Sequence, residues 1–122
     1  MLKVREILEA TKGKLINGNE NIDIKKYEID SRMLEEDTFF IPLKGEKVDS
    51  HQFILQCVKK KASGFFIESN YKDKDEIIEK SKTINANIII IEVMDTQKAL
   101  VDLAIYNRQK HIEVPVIAIT GS

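Results

Sequence analysis

Tryptophan is absent from the 122 residues, proline occurs twice and cysteine once. The single thiol, Cys57, excludes an internal disulfide framework or a cysteine-based zinc cluster, and it fits a reducing compartment. No apolar run approaches the ~18 residues that a membrane helix needs. The opening MLKVREILEAT is charged and amphipathic, unlike a secretory leader, so a cytoplasmic location is the expectation. An excess of one charge is also lacking: 19 Lys and Arg stand against 20 Asp and Glu, a net charge of -1. That balance gives no reason to expect nucleic acid or an anionic membrane as partner, and any anion site must be local. Neither a Pro/Gly linker, an internal repeat nor a low-complexity tract is present.

What remains is 43% hydrophobic and 32% charged, the composition of an ordinary globular chain. Its length suffices to bury roughly two-thirds of the unfolded surface. Val4, Ile7, Leu8 and Thr11 fall at i, i+3, i+4 and i+7 and predict a short helix, with Gly13 as its stop. In GKLINGNENIDIKKYEID, Asn17-Gly18 is a turn signal between extended stretches, predicting a small hairpin or two short strands. The N-terminal part thus reads as a separate, mostly antiparallel flap.

From Thr38 onward apolar runs alternate with helical patterns. FFIPL, GFFI, NIIIIEV and VPVIAIT are apolar on both alternating faces, as parallel strands covered on both sides are. Between them lie helices predicted over Gln52 to Lys60, Lys74 to Thr83 and Thr96 to His111. The pattern is a small, mostly parallel βαβαβαβ sheet of the α/β class, with an N-terminal helix and short antiparallel strands. KDKDE at Lys72 to Glu76 reads as a solvated helix start, Lys59 to Lys61 as a solvated helix end, and Cys57 as a buried small hydrophobe. VIAITGS, a buried strand running into Gly121 and Ser122, is how a phosphate-binding loop opens, and it suggests a piece cut at a domain boundary.

One loop is unusually polar: between FFIPL and the next helix stand Lys44, Gly45, Glu46, Asp49, Ser50 and His51. Asp49 with Gln52 three residues on fits a capping-box-like helix start, and His51 on a first turn is more often solvated or capping than ligating. DSR at Asp30 to Arg32 is by itself a turn with an exposed arginine, in which Asp30 can cap. No catalytic triad, metal-ligand cluster or complete phosphate loop is legible.

DSR, FFIPLKGEKVDSHQFI at Phe39 to Ile54, VMDTQKAL at Val93 to Leu100 and VIAITGS at Val116 to Ser122 together resemble the amino-terminal part of the Mur ligases. These are ATP-dependent enzymes that add amino acids to the UDP-linked peptidoglycan precursor. The resemblance covers the whole chain. KGE at Lys44 to Glu46 is most similar to the branch that adds D-alanyl-D-alanine to UDP-N-acetylmuramoyl-tripeptide. The branch that adds the third residue, diaminopimelate or lysine, shares DSR and a similar loop. Two positions depart from the family pattern: Ser50 and Lys61 stand where glycine is usual, and Ser50 would be either strained or a helix cap.

The resemblance implies that residues 1–114 bind the UDP end of UDP-N-acetylmuramoyl-peptide and that 115–122 open the ATP-binding domain through Gly121 and Ser122. It implies substrate contacts at Ser31, Arg32, Lys44, Gly45, Glu46, Asp49 and His51. Physically, Arg32 offers a fork for diphosphate oxygens, Ser31 a neighbouring hydroxyl, and Lys44 and His51 further charge or donors, while Glu46 and Asp49 can shape the loop or accept from uracil or ribose. A helix starting near Ser50 would add its free amides. ATP, Mg2+ and D-alanyl-D-alanine are implied for the complete ligase, with no catalytic residue in this stretch. The rival reading is a stand-alone nucleotide-binding module.

Overall fold

The computed structural model describes residues 1–110. One sheet of five strands dominates, in the order β2 (Lys14–Asn17), β7 (Ile89–Val93), β6 (Gly64–Glu68), β5 (Phe39–Phe40), β4 (Tyr27–Glu28). β4 to β7 run parallel, and β2 lies antiparallel on β7 with a register shift between Leu15 and Asn17. β1 (Leu2–Lys3) and β3 (Asp23–Ile24) form a separate antiparallel pair. The helices are α1 (Val4–Thr11), α2 (Ile54–Lys59), α3 (Lys74–Ile84) and α4 (Thr96–Lys110).

The doubly apolar strands explain the layering. Successive side chains of β6 and β7 point to opposite faces. Phe66, Ile89, Ile91 and Val93 join Val4 and Ile7 of α1 and Ala99, Leu100 and Leu103 of α4 in one buried cluster. Phe65, Ile67, Ile88 and Ile90 join Ile54, Cys57 and Val58 of α2 and Ile78 of α3 in another. Each fully buried Phe or Ile contributes about 1.5–3 kcal/mol, so these two strands, closed on both faces, are the energetic centre of the fold. Gly64 sits where they come closest: a Cβ there would lie 2.4 Å from the Ile89 carbonyl oxygen.

The α/β sheet and all the expected helices are present, with instructive differences. Lys14–Asn17 and Asp23–Ile24 are both strands, yet they do not pair with each other. The first extends the main sheet and the second pairs with β1. Asn17-Gly18 is therefore a turn without a hairpin, and the N-terminal part is no separate flap, because β2 is built into the sheet and α1 packs on α4. FFIPL yields only a two-residue strand, in keeping with a proline that cannot donate to a ladder. The helix expected from Gln52 starts as a 3-10 turn, Ser50–Phe53, before α2 begins. The strand expected at VPVIAIT, the 114/115 boundary, His111, Gly121 and Ser122 lie outside the described residues.

Helix ends show where glycine is missed. The residue that closes α1 in the left-handed region is Lys12 (φ 60°), not Gly13. After α2 the left-handed residue is Lys61 (φ 70°). The Ala62 amide donates to the Cys57 carbonyl at 3.1 Å and the Lys61 amide to that of Val58 at 3.0 Å, the paired bonds of a Schellman motif, whose left-handed position favours glycine. Ser50 is not in that region.

Two stability outcomes follow. Lys61→Gly should raise the unfolding free energy from denaturant titration by about 0.5–1 kcal/mol, because relief of the left-handed strain exceeds the added freedom of the unfolded chain. The Lys61–Glu36 pair that it removes spans 3.7 Å between two exposed side chains and contributes little. Gly64→Ala should lower the same free energy by about 1–3 kcal/mol through overpacking of β6 against β7.

Candidate functional site

The two polar segments singled out in the sequence occupy the carboxyl ends of the parallel strands, where open α/β sheets place ligands. After β4, the chain turns through a 3-10 turn at Ser31–Met33, capped by Asp30. The Asp30 carboxylate accepts from the Arg32 amide at 2.9 Å, from Nε at 3.1 Å and from Nη2 at 2.9 Å. These Arg32 hydrogen bonds hold the Asp30 carboxyl below its ordinary range and raise Arg32 above its own. Glu28 accepts from the amides of Ile29 and Asp30. Ser31 is buried, and its carbonyl receives Lys60 Nζ at 2.9 Å. The Arg32 side chain, 84% exposed, stands out into solvent.

After β5, residues 44 to 49 form a tight loop. Lys44 and Asp49 make a bridge across it, and the Gly45 amide donates to the Val48 carbonyl at 2.8 Å. Gly45 and Glu46 are exposed in the loop. Asp49 caps the next 3-10 turn, accepting from the His51 amide at 2.9 Å and lying 2.7 Å from the ring Nδ1. His51 is fully buried and stacks on Tyr71 with centroids 4.7 Å apart. Its Nε2 accepts from the Glu68 amide at 3.1 Å, which sets the tautomer that donates from Nδ1 to Asp49. Asp49 therefore fulfils its capping role, and both His51 nitrogens are committed inside the protein.

Glu68, only 2% exposed at the end of β6, joins these pieces. One carboxylate oxygen meets Lys44 Nζ at 2.7 Å; the other accepts from the Thr96 amide at 2.8 Å and from its hydroxyl at 3.2 Å. The Glu68 carboxylate raises the Lys44 ammonium pKa. Sequence reasoning passed over Glu68, although an acid closing the apolar GFFIE was a readable signal: a buried carboxylate must have partners.

The expected site residues thus divide. Ser31 and Arg32 share a cavity of about 480 Å3 with Asp30 and with Val48, Ser50 and Phe53 from the second segment. That volume is in the range of small-molecule sites. Lys44 and His51 are instead gathered around Glu68, away from the cavity lining, as is Asp49; Gly45 and Glu46 do not line it either. The Ser50 turn is too short to act as a helix terminus and its amides are partly taken, that of Ser50 by Leu43 and that of His51 by Asp49. Lys60 is exposed, as a solvated helix end would be, but its ammonium also reaches the Ser31 carbonyl. Among the described residues no group of His, Cys, Asp and Glu could hold a metal ion.

No family model matches the chain. Curated relatives do. The UDP-N-acetylmuramoyl-L-alanyl-D-glutamate–2,6-diaminopimelate ligase of Clostridium perfringens is 30% identical over 98% of this chain and 22% of its own length. The UDP-N-acetylmuramoyl-tripeptide–D-alanyl-D-alanine ligases of Haemophilus influenzae and Bacillus subtilis are 31% and 33% identical over 99% and 98% of this chain. The chain spans about a quarter of the length of these relatives, 22–24%. Among solved structures, MurF from Acinetobacter baumannii superposes with a TM-score of 0.68 at 28% identity, covering 88% of this chain and 21% of that one. Matched along nearly its full length by two branches of these ligases and in fold by a solved one, the chain belongs to the Mur ligase family, as a counterpart of the amino-terminal domain.

Proposed function

We propose that this domain holds the uridine diphosphate end of UDP-N-acetylmuramoyl-peptide for an ATP-dependent ligase of peptidoglycan synthesis, in the branch that adds D-alanyl-D-alanine. The observation that carries the reading is the shared cavity: DSR and the end of the KGE loop, sixteen or more residues apart in sequence, line one hollow of about 480 Å3. Asp30 orients the Arg32 fork through Nε and Nη2, and among the described residues Nη1 has no partner and is left to meet a phosphate oxygen. The buried Ser31 lies beside it. The Lys44–Glu68–His51–Asp49 network acts on the loop, fixing the end that carries Val48 and Ser50 into the cavity.

Anchoring the nucleotide is useful because the chemistry lies far from it. Binding energy gained at the diphosphate positions the peptide carboxylate that is to react. On this reading ATP, Mg2+ and D-alanyl-D-alanine are held by other parts of a longer ligase, consistent with the quarter of the relatives' length spanned here, and the domain alone is inactive. On the same reading Gly121 and Ser122, outside the described residues, belong with the ATP-binding part. Among the described residues no helix is long and apolar enough to cross a membrane. On this reading the ligase works in the cytoplasm. The solved MurF neighbours favour the D-alanyl-D-alanine branch. The diaminopimelate-adding relatives support a second reading, in which the same domain serves the ligase one step earlier.

Calorimetric titration of the chain with UDP-N-acetylmuramoyl-tripeptide tests this. Binding is expected, weakened about tenfold or more in Arg32→Ala through loss of a charge-assisted contact. Equal affinity in the variant would remove Arg32 from the site, and no heat from the unaltered chain would remove the reading itself.

A further inference from the structure

We infer that Lys60 is the positioning residue of the DSR turn and supplies the positive charge without which the cavity would repel a diphosphate. The inference rests on the proposed nucleotide site. A 3-10 turn of three residues does not persist on its own hydrogen bonds. Here the Leu34 amide reaches the Ser31 carbonyl only at 3.4 Å. The short bond to that carbonyl, 2.9 Å, comes from Lys60 Nζ, 29 residues away at the carboxyl cap of α2. Leu34 is buried in the cluster with Cys57 and Val58, so, besides the Asp30 cap, the turn is pinned inside by an apolar side chain and outside by the Lys60 ammonium. Lys60 is well placed for this, because a cation at a helix carboxyl end also meets the unpaired carbonyls there.

The charge balance points the same way. Two carboxylates flank the turn: Glu28, on the amides of Ile29 and Asp30, and Asp30, on Arg32. Arg32 offsets only one of them. Lys60, near enough for its charge to act on Asp30, adds the second cation to this group. Lys44 cannot take over, since its ammonium is held by Glu68. Remove Lys60 and a doubly charged anion approaches a site of net negative charge, while the carbonyl that locates Ser31 and Arg32 loses its shortest tether.

The test titrates the unaltered chain, Lys60→Met and Lys60→Arg with UDP-N-acetylmuramoyl-tripeptide at low and high salt, after recording each thermal melt. Lys60→Met is expected to bind about fivefold or more weakly at low salt, the deficit narrowing at high salt as screening removes the charge effect, while Lys60→Arg stays within about twofold. Should Lys60→Met melt well below the unaltered chain, Lys60→Gln, which keeps a donor without the charge, carries the same comparison. Unchanged affinity in the neutral variant or an equal loss in Lys60→Arg would overturn the role of Lys60, and a deficit indifferent to salt would overturn its charge contribution, each leaving the nucleotide site standing. An unaltered chain that gives no heat would overturn both.

Discussion

A carboxylate taken out of water must be paired, and the arrangement of the site end of this domain depends on how Glu68 is paired. It closes the most buried strand, so its position is set by the packing of Phe65, Phe66 and Ile67 between two layers of helices. From there it fixes three things: the start of α4 through Thr96, the base of the KGE loop through Lys44, and, by its main-chain amide, the His51 ring. Leaving any of its oxygens unpaired would cost more than the contacts gain on average, which makes the set cooperative. The polar loop that stands out in the sequence is thus largely an internal brace, and the part of it that faces the cavity is small.

The contrast between legible and illegible features follows from this. The strands and helices were readable because GFFI and NIIIIEV are apolar on both faces, a pattern few structures other than a covered parallel sheet satisfy. The extents of the helices at Lys74 and Thr96 followed from their apolar spacing. What periodicity cannot carry is partnership across the chain. Nothing local in GKLIN says that it will lie on Ile89–Val93 instead of folding back on DIKKY, because both choices bury similar side chains. Nor does KKK after Val58 reveal that its middle member will reach Ser31 and its last will adopt a left-handed backbone.

The same reasoning explains the division of the expected site residues. Ser31 and Arg32, with Val48 and Ser50, are brought to one hollow by adjacent parallel strands, a consequence of topology that the α/β pattern already implied. Lys44, Asp49 and His51 have chemistry that suits an anion equally well, but each finds an internal partner first. Side-chain type announces capability, whereas distance to a competing partner decides use. The comparisons give the family, and under the proposed nucleotide-anchoring role the geometry narrows the part of the surface that would serve it.

The borders of the main sheet carry a final consequence. Among the described residues one border is β4, two residues long; the other is β2, whose register breaks between Leu15 and Asn17 and which begins with an exposed lysine. Short, kinked or charged margins make poor templates for another chain's backbone. Margins of this kind resist adding strands from a second copy and disfavour the seeding of fibrous assemblies.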